Sequence, residues 1–294
     1  MTNVNQYGWK ALVGSAVGYA MDGFDLLILG FMLSAISADL NLTPAQSGSL
    51  VTWTLIGAVV GGIVFGALSD RYGRVRVLTW TIVLFAVFTG LCAIAQGYWD
   101  LLIYRTIAGI GLGGEFGIGM ALAIEAWPAK HRAKAASYVA LGWQVGVLAA
   151  ALLTPVLLPH IGWRGMFVVG IFPAFVAWYL RTRLHEPEIF SRKQIALSTQ
   201  KTSKLESFKL LVKDKATTKV SLGVVVLTSV QNFGYYGIMI WMPNFLSKQL
   251  GFSLTKSGLW TAVTVCGMMA GIWIFGRLAD RIGRKPSFLL FQFR

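Results

Sequence analysis

Residues 66–74 read GALSDRYGR, and residues 276–284 read GRLADRIGR. The two nonapeptides agree at six of nine positions, 210 residues apart, with Gly, Leu, Asp, Gly and both Arg in register. Coincidence between two basic loops would not keep the acidic residue in place, so the pair is read as an internal repeat. Each copy follows a long apolar stretch, and the unit that is repeated is therefore larger than the loop.

Working outward from these loops, the 294-residue chain is 55% hydrophobic and only 13% charged, with a mean hydropathy of +0.63. That apolar content is too high and too evenly spread for a soluble chain with one core, and it places the chain among integral membrane proteins. A helix needs about 20 apolar residues to cross a bilayer. Such windows recur at 11–36, 46–68, 77–95, 99–127, 135–158, 165–180, 218–246 and 257–279, with 286–293 resembling the start of another. The N-terminal MTNVNQYGWKALVG lacks the basic head and small-residue exit of a cleavable signal, and is expected to remain as the first helix. Cys92 and Cys266 fall in separate spans, which points to neither a disulfide framework nor a metal cluster.

A net charge of +14 raises the possibility of a nucleic-acid partner, but the placement of the charge argues otherwise. Lys and Arg fill alternate connections: Lys10; Arg71, Arg74 and Arg76; Lys130, Arg132 and Lys134; the 181–219 stretch; and Arg277, Arg281, Arg284 and Lys285. The intervening connections hold only Arg164, Lys248 and Lys256. By the positive-inside rule the N-terminus and the polar 183–217 segment are expected to be cytoplasmic. The LESFKLLVKD part of that segment reads equally as a surface helix or a solvated linker.

The pattern GxLxDRxGRxxxL after the second span, copied after the eighth with Phe288 at its last position, resembles the signature loop of the major facilitator superfamily. RTIAGIGLGG in the fourth span, EAWPAKHR at its end and GWRGMF before the sixth agree with that family along almost the whole chain. DGFDLLILGFM with GIGLGGEFGIGMALAIEAWP is most similar to the organic-acid (sialate and aromatic-acid) proton symporters, and IYRTIAGIGLG with ExxPxxxR is also similar to the proton-coupled sugar porters. The resemblance implies an all-α integral membrane fold. Its expected parts are a complete N-terminal six-helix bundle at 1–182, a cytoplasmic linker at 183–217 and a partial C-terminal bundle of two to three helices at 218–294. Only residues 285–294 follow the second signature loop, so C-terminal helices are expected to be missing, and an inactive truncated fragment is a rival reading.

An ionisable group in a membrane span costs roughly 2.5–3.5 kcal/mol on insertion scales and is functional by default. Asp22 and Asp25 lie near the centre of the first span, and their i, i+3 spacing puts them on one helix face. Arg105 is the only Lys or Arg away from the ends of a predicted span and is the natural partner. In the sugar porters that this sequence resembles, an acid of the first helix pairs with an arginine of the fourth. Carried over by motif, that implies an Asp25–Arg105 pair released by protonation. A guanidinium beside a carboxylate favours its charged form and burial disfavours it, so a shift of a few ångströms could switch such an acid between holding and releasing a proton. Arg105 could instead clasp a substrate carboxylate bidentately, or the two roles could alternate.

Glu115 is a third candidate in the fourth span, for a proton or for substrate hydroxyls. Gly109, Gly111, Gly113 and Gly114 are read as a close-packing face, since a phosphate-binding loop would need a preceding strand. Gln144, Gln231, Asn232, Tyr235 and Tyr236 could line a site without charge cost, although interhelical bonding accounts for them as readily. In the signature loop Asp70 is expected to cap a helix across the bundle interface, Gly73 to permit a tight turn, and Arg71, Arg74 and Arg76 to face the cytoplasm. Asp280, Arg281 and Arg284 repeat that arrangement, and Glu125 with Arg132 resembles the family's accompanying charge relay.

His131, His160 and His185 all fall in loops and both cysteines stand alone, which leaves a membrane enzyme without its nucleophile or metal ligands. The sequence therefore points to no enzyme, cofactor, metal or nucleic-acid partner. It points to a monomeric inner-membrane transporter, with its N-terminus in the cytoplasm, that couples protons to a small organic anion. Sialate, aromatic carboxylates, short hydroxy acids and sugars stay open as substrates.

Overall fold

A computed structural model describes residues 6–182 and 212–292, and within them the chain is helical throughout, without strands. In order the helices are α1 (Gln6–Asp39), α2 (Pro44–Tyr72), α3 (Arg74–Cys92), α4 (Tyr98–Glu125), a short 3-10 turn (Ala129–His131), α5 (Arg132–Thr182), α6 (Lys215–Leu250), α7 (Leu254–Ile282) and α8 (Arg284–Gln292). All but α8 contain a stretch long and apolar enough to cross a membrane. The expected linker falls outside the described residues over 183–211. Its last part differs from expectation, because α6 starts at Lys215: the Asp214 carboxylate accepts from the Thr217 amide at 2.9 Å and caps the helix. Those same bonds, the amide's first, hold the Asp214 carboxyl below the usual carboxylate range.

The fifth and sixth windows form one helical run joined at Gly162, where φ is 65° and ψ 178°. The contacts show that the chain doubles back there. Gly142 and Gly146 of the first arm meet Ala16 and Ala20 of α1 in parallel order. On the second arm Trp163 donates to Asp39, while Gly170 lies beside Ile28, an antiparallel order. Only a residue without a Cβ takes that positive φ easily.

The repeat seen in the loops extends over whole helices. α2 and α7 each contain 29 residues, and their first and last positions differ by 210. Thr43 and Ser253 cap them in the same way, each accepting from the amide three residues on. Their last turns also match, with Gly73 at φ 100°, ψ 149° and Gly283 at φ 94°, ψ 159°. α2 lies in the first half of the chain and α7 in the second, so the same piece has been built twice.

α1 is the most buried helix and forms the axis of the fold. Both arms of α5 pack along it and α4 crosses it. α2 and α4 run parallel with their backbones in near contact. A Cβ on Gly57 or Gly61 would strike the carbonyls of Thr106 or Ile110, and one on Gly109 or Gly113 would strike those of Thr54 or Ala58. Between membrane helices, where apolar surface has no water to leave, such close approach is the main source of attraction. α7 packs on the first arm of α5, with Gly258 against the Ala151 carbonyl and Gly276 against Ser137. Much of α6 before Tyr235 is exposed.

Candidate functional site

At the crossing of α1 and α4 the Arg105 fork closes on Asp25. Nη1 donates to Oδ1 at 2.9 Å and Nη2 to Oδ2 at 2.7 Å, with the arginine 0% exposed. The two charges were legible as outliers in apolar helices, and α1 and α4, running antiparallel, bring them together across 80 residues of sequence. Phe167, on the second arm of α5, places its ring 5.7 Å from the guanidinium carbon, and the Cys92 thiol of α3 lies beside the same group. The pair is thus sealed by an aromatic face and a sulfur. Its fork leaves Asp25 only if another group takes over the charge, because a lone buried ion is strongly unfavourable.

Asp22 and Glu115 are also fully buried. Both lie within electrostatic reach of Tyr19, whose hydroxyl donates to the Phe116 carbonyl and whose ring stacks on Phe116 at 4.9 Å. Phe116 meets Trp143 of α5 edge to face at 5.9 Å, and Trp143 meets Tyr236 of α6 at 6.3 Å. The Trp143 N–H donates to the Tyr235 hydroxyl at 2.7 Å, which joins the first half of the chain to the second. Gln144 is buried next to it, its amide 3.8 Å from the Met268 sulfur of α7.

Beside this ring cluster a groove of about 910 Å³ runs between α2, α4 and α6. Phe116, Phe233, Tyr236 and Trp241 supply aromatic wall, and Thr52, Thr228, Ser229 and Asn232 supply neutral polar groups. The groove reaches neither Asp25 nor Arg105. Of the residues proposed from sequence, Asn232 and Tyr236 line it; Tyr235 and Gln144 stand behind, and Gln231 is exposed elsewhere on α6. Trp143, Phe116 and Phe167 were not anticipated, because a ring in an apolar helix offers no contrast of composition.

At the end of the bundle that carries the repeated loops, Arg74 grips Glu125 with two contacts of 2.8 Å. Asp70 is largely exposed, its side chain 68% accessible and 3.8 Å from Arg74. The cross-bundle cap expected of Asp70 is instead made by its copy: Asp280 accepts from the Lys134 amide, in the first turn of α5, at 3.2 Å. The reason is placement, since α7 lies against α5 and brings Asp280 to that helix start. Arg132 is part-buried at the same turn, whereas Arg71, Arg281 and Arg284 are exposed, Arg71 lying over the Tyr72 ring. At the opposite end Arg164 binds Asp39 at 2.6 Å and the Ala95 carbonyl at 3.1 Å, a three-way tie of α1, α5 and the α3–α4 connection that sequence reading had not singled out.

Residues 15–293 match the family described as the Major Facilitator Superfamily. The chain belongs to that family. Its members here are transporters and not enzymes, and the apolar helices make the chain a multi-pass membrane transporter of this superfamily. A Haemophilus influenzae protein, named for metabolite transport with no metabolite specified, is 89% identical over 99% of this chain and 72% of its own length. The cis,cis-muconate transport protein of Acinetobacter baylyi is 32% identical, covering 98% of this chain and 70% of the relative. The sialic acid transporter NanX of Escherichia coli is 31% identical, covering 98% and 69%. Among solved structures, the partially occluded inward-open xylose transporter XylE from E. coli superposes with a TM-score of 0.72 at 21% identity, over 96% of this chain and 75% of that one. At that identity the likeness shows a shared Major Facilitator fold alone.

Proposed function

We propose that this chain works in proton-coupled symport of a small organic carboxylate across the bacterial inner membrane. The observation that carries this reading is the sealed, two-pronged Asp25–Arg105 pair. Both guanidinium prongs are taken and the groove does not reach them, so the pair acts as a proton switch and not as the substrate clasp. A proton on Asp25 removes the charge that holds the fork, and releasing the fork unlocks α1 from α4. Asp22 and Glu115, near Tyr19, are the further acids of the proton path.

The carboxylate class is supported by the names of relatives, muconate and sialic acid both being carboxylates. The substrate lies against α6, where Asn232, Tyr235 and Tyr236 contribute, with Gln144 at the junction of the halves. The bundle at 1–182 and the helices from Lys215 onward rock about this centre, joined by the segment between them. The Asp70, Arg74, Glu125, Arg132 and Asp280 network latches the cytoplasmic side, Arg71, Arg281 and Arg284 facing the water there with Gly73 in the turn. The N-terminus is cytoplasmic, a reading supported by the charge placement, and the unit is a monomer.

Replacing Asp25→Asn keeps the shape and removes the titration. Uphill uptake of cis,cis-muconate driven by a proton gradient is expected to vanish, while exchange of labelled for unlabelled substrate persists. Undiminished uphill uptake would remove Asp25 from coupling.

A further inference from the structure

We propose that Trp143 is a positioning residue for substrate shape, holding Phe116 and Tyr236 as the two aromatic walls of a site for flat, conjugated carboxylates. The inference rests on the carboxylate reading above and narrows it.

Phe116 on α4 and Tyr236 on α6 face the same groove from different halves of the chain. Each meets Trp143 nearly at right angles, at 86° and 73° between ring planes. Two rings packed edge to face on one indole share a single support. The indole itself cannot swing, because it is buried and its N–H is fixed on the Tyr235 hydroxyl at 2.7 Å. Tyr235 in turn meets Tyr236 edge to face at 5.4 Å, which braces the second wall from behind. On the other side, Tyr19 stacks on Phe116 and braces the first.

A flat π system can lie offset against such rings and gain from their quadrupoles, which a puckered ring of equal size and charge cannot do on both walls. The carboxylate end finds donors in the Ser229 hydroxyl and in the second N–H of Asn232, on the same stripe of α6 as Tyr236, while the Thr228 hydroxyl is spent on the Val224 carbonyl. No charged side chain lines the groove among the described residues, so shape counts for more here than charge.

The test compares benzoate with cyclohexanecarboxylate, two monoanions of similar size, by calorimetric titration of the full chain in lipid nanodiscs. Wild type is expected to favour benzoate by about threefold to tenfold, the value of one or two ring contacts. In Trp143→Leu that ratio should fall to about one, and Trp143→Phe, which keeps a ring but loses the bond to Tyr235, should restore part of it. Ratios, not single affinities, are read, so a general loss of binding cannot imitate the result. Equal binding of both acids by wild type, or an undiminished ratio in Trp143→Leu, overturns the proposal. Should Trp143→Leu fail to fold, Phe116→Leu must abolish the ratio, and a retained ratio there overturns it equally. Binding of neither acid, with xylose bound instead, would reject the carboxylate reading itself.

Discussion

Arg105 offers two parallel donors to Asp25, and a lysine can offer only a point charge at the end of a flexible stem. Arg105→Lys is therefore expected to lower the initial uptake rate by at least about tenfold, as the fork cannot be rebuilt from an ammonium group. Rates within a factor of two of wild type, at equal protein in the membrane, would show that the bidentate geometry is dispensable. This pair was legible from sequence because a charge in an apolar helix stands out against its surroundings. Trp143 was not, since an aromatic ring among Leu and Val looks like any other packed residue, and its meaning comes from Phe116 and Tyr236, which the fold brings from elsewhere. Asp70 and Asp280 show a different limit. They occupy the same place in a repeated motif, yet only Asp280 reaches a helix start, because the neighbour that decides this is 146 residues away.

At the scale of the helix, the glycines of α4 divide into those that touch and those that do not. Gly113 lies against the Ala58 backbone, while Gly117, one turn on, has open space where its Cβ would be. Gly113→Val should push α2 and α4 apart and destabilise the fold by about 1–3 kcal/mol or more. Gly117→Ala should change stability by less than about 1 kcal/mol. Thermal unfolding followed by fluorescence-detected size exclusion separates the two, and similar midpoints would contradict the close seam. The close-packing role of this face could be read from small-residue spacing. Its partner could not, because every span of the chain is apolar. The full 210-residue register of α2 and α7 was hidden for a related reason: outside the loop, membrane helices tolerate many apolar exchanges, so the likeness survives in length and caps more than in residues.

Across the whole molecule the halves meet at separate points along α5 and α1: Gly258 at Ala151, Gly276 at Ser137, Asp280 at the Lys134 amide, and Gly30 at Ile240. Asp280→Ala should loosen the α5–α7 contact and raise labelling of a cysteine placed at Ser137, in a background lacking Cys92 and Cys266. Asp70→Ala should leave that labelling unchanged, because Asp70 points to solvent. Equal labelling in both variants would mean that the Asp280 bond does not hold the halves. The buried pair also bears on how the molecule is made. Arg105 leaves the ribosome 80 residues after Asp25, and a lone arginine within a membrane helix disfavours its entry into the bilayer, by up to about 2.5–3.5 kcal/mol at the centre. α4 settles more readily where α1 already waits, which favours keeping the two helices together during synthesis. Asp25→Leu should then accumulate several-fold less in the membrane than Asp25→Asn, which keeps an oxygen for the fork, and equal amounts would show that α4 inserts unaided. The pair proposed above as a proton switch would thereby also be a checkpoint passed once, at birth.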